Sequence, residues 1–289
     1  MKTIFAPLKR SEYDGIPDMV FALPRLDLLM KLFDMITKGN SRFIHIASPP
    51  ATGKTSLLQL FKLFCEKRGI TCIYVSMLLA DFKGEMLEKT GINSENWMLE
   101  STHNICTDPS KQYVIMLDDC QNKYSDINLW TSLIKPNSQL NLPNNIRFII
   151  SGTYPLSKYP AYQGFLHFNN LLKLVHKDFC LSQEEAKEFI RLSSERKKTE
   201  ISGQLLIHPV ICHLITTYCN GHIGAISMSV IEKHFYQNTT VTIEDIVNFY
   251  LSNTMSRWFL RCYSCSIHTV YANRATTLFD FRCHICISQ

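Results

Sequence analysis

The chain has 289 residues, 46% of them hydrophobic and 19% charged, which suits one large core or two medium ones and excludes a disordered protein. The formal net charge of +5 is spread along the sequence. Its densest basic run, Arg191 to Lys198, is broken by Glu195 and reads as a solvated helix end before it reads as a nucleic-acid footprint.

At the N-terminus, MKTIFAPLKRSEYDG places charges inside any would-be apolar segment, so no secretory signal is expected. No run approaches the roughly 18 apolar residues of a membrane span. Most of the eleven cysteines sit singly in apolar runs, as Cys65, Cys72, Cys120 and Cys212 do, and read as reduced core residues. An intracellular protein, cytoplasmic or nuclear and with no membrane partner, is the expectation.

Apolar residues at helical spacing predict a helix from Leu26 to Ile36, closed by Gly39-Asn40. A short strand, Phe43–Ala47, follows and leads into Ser48-Pro49-Pro50-Ala51-Thr52-Gly53-Lys54-Thr55, written SPPATGKT. Ser56 to Lys67 is apolar on most sides, as a helix against a sheet would be, with Gly69 ending it. Thr71–Met77 is the second predicted strand, and Leu78 to about Glu100 reads as helical, in one or two short pieces.

Tyr113–Leu117 is an unbroken apolar run, the mark of a strand buried on both faces, and it ends on Asp118-Asp119. A helix over 127–134 leads to a fourth strand, Phe148–Gly152. Strands alternating with helices predict a doubly wound α/β domain with a parallel sheet and its ligand at the strand C-termini. After Pro155 and Pro160 helix signals take over: Ser182-Gln183-Glu184-Glu185 fits a capping box, and Thr242 precedes Ile243 to Leu251. The α/β core is therefore assigned to residues 1–158, a helical lid, or a winged helix, to 159–254, and a cysteine-containing tail to 255–289.

SPPATGKT between a strand and a helix fits a phosphate-binding loop, because loop amides and a helix N-terminus make a concave positive site. Ser48 to Ser56 are the candidate nucleotide contacts: Gly53 lets the backbone approach a phosphate, Lys54 reaches the β- and γ-phosphates, and Thr55 ligates Mg²⁺. Lys54 is also a catalytic candidate. The usual spacing is G-x-x-x-x-G-K-(S/T). Ser48 replaces the first glycine, so the loop is expected to carry some backbone strain there, stiffened by Pro49-Pro50.

Asp118 is placed to hold Mg²⁺ beside Thr55, and Asp119 is the candidate base for an attacking water. The intervening strand Thr71–Met77 favours the subclass of phosphate-loop enzymes that inserts a strand between the two motifs. Ser151 and Thr153, at the end of the fourth strand, are candidate γ-phosphate sensors.

With these motifs the sequence resembles the AAA+/STAND side of the phosphate-loop NTPases, most closely archaeal-type STAND ATPases and the NTPase domains of Crinkler-type effector proteins, over about residues 20 to 236. Phe21-Ala22-Leu23-Pro24-Arg25 is similar to the family's F-x-G-R box, which implies Arg25 near the adenine. Cys219-Asn220-Gly221-His222-Ile223 is similar to the family's G-x-P motif in the lid, with Ile223 in the place of proline, and implies His222 at the nucleotide. Leu181 to Ala186 resembles the start of that lid. The resemblance implies ATP and Mg²⁺ as ligands, slow hydrolysis because Asp119 is shorter than the usual glutamate, a switch rather than a motor, and a protein partner or homo-oligomer.

Cys262-Tyr-Ser-Cys265 and Cys283-His-Ile-Cys286 have the spacing of a four-cysteine zinc site, against which stands a tail of chance composition. Two other functions stay open: a nucleic-acid-handling ATPase, which would show a focused basic face, and a pseudo-ATPase serving as an interaction module.

Overall fold

The computed structural model describes residues 22–100, 105–134, 142–153, 172–200 and 209–231. Its chain order begins α1 (Leu26–Thr37), β1 (Phe43–Ala47), α2 (Lys54–Glu66), β2 (Thr71–Ser76), α3 (Phe82–Thr90), and a hairpin of β3 (Ile92–Asn93) with β4 (Met98–Leu99). It continues with β5 (Tyr113–Asp118), a 3-10 turn at Cys120–Lys123, α4 (Ile127–Ile134), β6 (Ile146–Gly152) and β7 (Leu172–Val175). The helices α5 (His176–Phe179), α6 (Gln183–Glu200), α7 (Pro209–Cys219) and α8 (Ile223–Ile231) are the last elements among the described residues.

Five strands form one parallel sheet in the order β2-β5-β6-β1-β7. Every residue of β5 is buried. Tyr113, Ile115 and Leu117 enter one core with α3, the hairpin and α4, while Val114 and Met116 enter a second core with α1 and α2. Strand alternation thus requires both faces of β5 to be apolar, which is why the run looks unbroken in sequence. Burying each such side chain stabilises by about 1.5–3 kcal/mol.

Four of the five sheet strands match the sequence expectation within two residues at either end. The fifth does not. Leu172–Val175 pairs in parallel with β1, Ile44 opposite Leu172 and Ala47 opposite Val175, so the sheet extends beyond residue 158 into the stretch expected to be helical. Four residues with one fully buried side chain, Leu174, are too few to display a period.

The stretch 78–100 also differs, for it holds one helix and a hairpin. Gly91, in the left-handed conformation, ends α3, and the Asn93 side chain accepts from the Glu95 amide to turn the chain back. Trp97, 1% exposed, anchors the hairpin with its Nε1 donating to Ser132 Oγ at 3.1 Å. The predicted capping box is present: the Glu185 amide donates to Ser182 Oγ and the Ser182 amide to Glu185 Oε2.

The seven described cysteines are free thiols. No helix among the described residues is long and apolar enough to cross a membrane. In the basic run, Arg191 is paired with Glu188 and Glu195. The proposed helix after Thr242 lies outside the described residues.

Candidate functional site

Strand order places the site. The chain passes from β1 to β2 at the far edge, returns through β5 and β6, then crosses to β7 on the other side of β1. Ligands of open α/β sheets collect at the C-terminal ends of strands where the order reverses, here at β1. Asp118 ends β5, and β6 separates that strand from β1, whereas Thr71–Ser76, the intervening strand in sequence, is at the sheet edge.

Alternation then decides which side chains can meet. Val114 and Met116 face the α1/α2 core, so Asp118, two residues further, faces it as well. Ile149 puts Ser151 on that face, and Tyr74 packs against the same core from β2. Thr55, in the first turn of α2, meets them.

The Asp118 carboxylate, fully buried, accepts four hydrogen bonds. Oδ1 takes Ser151 Oγ at 2.8 Å and the Asp119 amide at 3.0 Å. Oδ2 takes Thr55 Oγ1 at 2.7 Å and Tyr74 Oη at 3.0 Å. A carboxylate offers about four lone-pair positions, and all are used. Burial, then the Asp118 charge, pushes the Tyr74 hydroxyl above the ordinary phenol range, which keeps it a donor.

The loop before α2 is folded on its own lysine. Lys54 is buried, and its Nζ donates to the carbonyls of Ser48 and Pro49, each at 2.9 Å. Thr52 Oγ1 donates to the Pro49 carbonyl at 2.9 Å, and the Ser48 amide to the Gly152 carbonyl at 3.2 Å, which ties the loop to β6. Pro50 and Ser56 flank this core of contacts, both half-buried. The amides that open a helix lie outside its hydrogen-bond ladder, so those at the start of α2 offer donors to an anion.

The left-handed residues of the loop are Ala51, φ 60°, and Gly53, φ 86°, and Ser48 is not among them. The expected strain at Ser48 is therefore absent. No glycine is needed at position 48 because its backbone is not left-handed, and the left-handed non-glycine residue of the loop is the exposed Ala51.

Asp119 is itself left-handed, φ 55°, a conformation that aspartate tolerates better than most residues. Its Oδ1 accepts from Gln121 Nε2 at 3.0 Å, and its carbonyl from Asn122 Nδ2 at 2.8 Å. Thr153 lies just beyond β6, half-buried, and is not one of the donors to Asp118.

Arg25 caps α1, and its guanidinium spans to the helical part: Nη1 donates to the Phe179 carbonyl at 2.9 Å, Nη2 to that of Asp178 at 3.0 Å, and Nε lies 3.1 Å from Glu185. Its engaged nitrogens make it a tie between the two regions.

His222 is 1% exposed, and its Nδ1 accepts from the Ala225 amide at 3.3 Å, capping α8. Burial, then the neighbouring His176, lowers its pKa to about 4, and the Lys54 charge adds to this. The His176 ring stands 5.6 Å from it, and burial and Lys54 depress that pKa as well. The next residue closes over the loop: a Cβ placed on Gly53 would lie 3.6 Å from Ile223 Cγ2. The four cysteines of the proposed zinc site lie outside the described residues.

Tyr74, Gln121 and His176 carry no sequence motif. Only Tyr74 left a trace, since once β2 is aligned with β5, alternation puts it on the Asp118 face. A separate cleft of about 520 Å³, lined by Lys83, Ser94, Glu95 and Asp126 among others, belongs to the opposite core.

No protein-family model matches the chain, and no curated protein matches it. Among solved structures, domain III of the replication initiation protein DnaA from Thermotoga maritima is similar, at 15% identity and TM-score 0.51, over 82% of this chain and 97% of that one. The Aeropyrum pernix ORC1 protein, solved in complex with DNA, is similar at 14% identity and TM-score 0.48, over 78% of this chain and 64% of that one. A Walker-type ATPase of Pyrococcus abyssi follows at 12% identity and TM-score 0.45, over 81% and 74%. The likeness to the DnaA domain is one of fold: a parallel five-stranded α/β sheet with flanking helices.

Proposed function

We propose that the chain is an ATP-binding phosphate-loop NTPase of the STAND type, similar to the NTPase domains of Crinkler-type effectors, that hydrolyses ATP slowly and serves as a nucleotide-dependent switch. The observation that carries this reading is the 2.7 Å hydrogen bond from Thr55 Oγ1 to Asp118 Oδ2. Two oxygens that each lie about 2.0–2.1 Å from one octahedral Mg²⁺, at right angles, stand about 2.9 Å apart. A hydroxyl and a carboxylate already at that spacing fit the ion, and both are the hard oxygen donors it prefers. Bound there, Mg²⁺ would neutralise charge on the transferring phosphoryl group.

In this reading the phosphates lie on the amides of Ala51 to Ser56, and Lys54 trades the Ser48 and Pro49 carbonyls for phosphate oxygens. Asp119 accepts a proton from the attacking water once Gln121 releases it, and Ser151 with Thr153 responds to the γ-phosphate. A side chain one methylene shorter than glutamate positions that water less well, which slows turnover.

Arg25 acts by holding the helical part to α1, and His222 borders the nucleotide through the turn that covers Gly53. That turn supplies the moving element of the switch, read by a protein partner or a second copy of the chain. The test compares wild type with Lys54→Ala and Asp119→Asn by equilibrium ATP binding and by phosphate release. Lost binding in the first and lost turnover with retained binding in the second are expected. Wild-type ATP affinity in Lys54→Ala would sink the proposal.

A further inference from the structure

Of the four donors to Asp118, three belong to the motifs that end β1, β5 and β6, and the fourth comes from the sheet edge. On β2, Ser76 is opposite Asp118 and Tyr74 opposite Met116. Tyr74 therefore starts two residues back from Asp118, about 6.6 Å along the strand but on the same face. The length of its ring carries Oη forward to within 3.0 Å of Asp118 Oδ2.

The two carboxylate oxygens have different duties. Oδ1 is filled by a backbone amide and by Ser151, a buried side chain of the central strand β6, so it cannot swing toward a cation. Oδ2 is shared by Thr55 and Tyr74. A cation between Thr55 and Asp118 displaces only the Thr55 proton, which a hydroxyl redirects by rotating. Tyr74 keeps the other lone pair and adds to the hold on the carboxylate that the two Oδ1 donors provide.

We propose that Tyr74 is a positioning residue of the Mg²⁺ site: its hydroxyl holds one lone pair of Asp118 Oδ2 and so fixes the other toward the ion beside Thr55. This rests on the phosphate-loop reading above. Asp118 then ligates through one oxygen, and the edge strand β2 becomes part of the metal site without touching the metal. Partners of this kind, bonded to a ligand and not to the ion, tune metal affinity by about 10- to 100-fold.

The experiment measures the affinity of the full chain for a fluorescent ATP analogue, in excess Mg²⁺ and in EDTA, for wild type and Tyr74→Phe. Phenylalanine retains the ring that packs against the α1/α2 core. The expected result is an EDTA affinity within about twofold of wild type and a gain from Mg²⁺ that is smaller by about tenfold. An equal gain from Mg²⁺ in both proteins overturns the proposal, and so does a loss of affinity that is the same with and without the ion, since a packing role would act on both. Failure of the phosphate-loop reading is seen separately, as a wild type that does not bind the analogue in either condition.

Discussion

Thr55 and Asp118, 63 positions apart in sequence, are joined by a 2.7 Å hydrogen bond. Thr55 stands in the first turn of α2 and Asp118 closes β5. Thr55→Ser keeps this bond. Thr55→Val leaves the buried carboxylate one donor short and should lower stability by about 1–3 kcal/mol. Urea midpoints of the two variants measure the difference, and equal midpoints would show that the bond carries no stability.

Acid should unfold the protein through its buried histidines. His45 is 1% exposed, neither ring nitrogen has a partner, and burial with the Lys173 charge lowers its pKa to about 4. His222 is lowered to about 4 as well. A histidine whose folded pKa is depressed contributes stability that is fully present above its unfolded pKa, about 6.5, and is lost as pH falls from there toward the folded value. Each residue accounts for about 3 kcal/mol when the loss is complete. Between pH of about 6 and 4.5, His45→Leu should show a clearly shallower fall of urea midpoint than wild type. Parallel curves would remove His45 from this account.

The two substitutions that bring glycine into the loop should differ. Ala51→Gly relieves a left-handed alanine and is expected to stabilise by about 0.5–1 kcal/mol. Ser48 is not left-handed, and its Oγ is buried without a partner. Ser48→Ala should therefore stabilise by about 1 kcal/mol, and Ser48→Gly should gain less than Ser48→Ala because glycine adds unfolded-state freedom. Thermal midpoints of the three variants give the order, and a Ser48→Gly protein more stable than Ser48→Ala contradicts it.

Gly221 ties the turn before α8 to the chain entering α6 within the helical part. Its φ is 72°, its carbonyl accepts from the Leu181 amide at 2.8 Å, and an added Cβ would lie 2.4 Å from the Leu181 carbonyl oxygen. Gly221→Ala is expected to cost more than about 2 kcal/mol and to raise hydrogen exchange at Leu181. Protection at Leu181 equal to wild type would show that the turn adapts.

What was legible in the sequence was what is local. SPPATGKT sits between a strand and a helix whose patterns are each complete within about a dozen residues, and Asp118 ends a run apolar on both faces. Ala51 gave no hint of its left-handed angle, because alanine has no turn signature. Leu172–Val175 is a strand only because β1 offers it an edge, and a four-residue segment cannot announce a neighbour. Tyr74 enters the site through the register of β2 on β5, a relation between distant segments that no single stretch encodes.

The position of β6 also governs when such a site can exist. Asp118 is reached from Thr55 across 63 residues and from Ser151 across 33, so neither contact forms as a by-product of local helix or turn formation. Contacts of this span wait for loop closure and arrive late in folding. A fragment ending before residue 146 would contain the entire loop and Asp118, yet it would lack the strand that spaces β1 from β5. On the function proposed above, nucleotide affinity would report the complete sheet, and a chain that has made only its first helices and strands should have none.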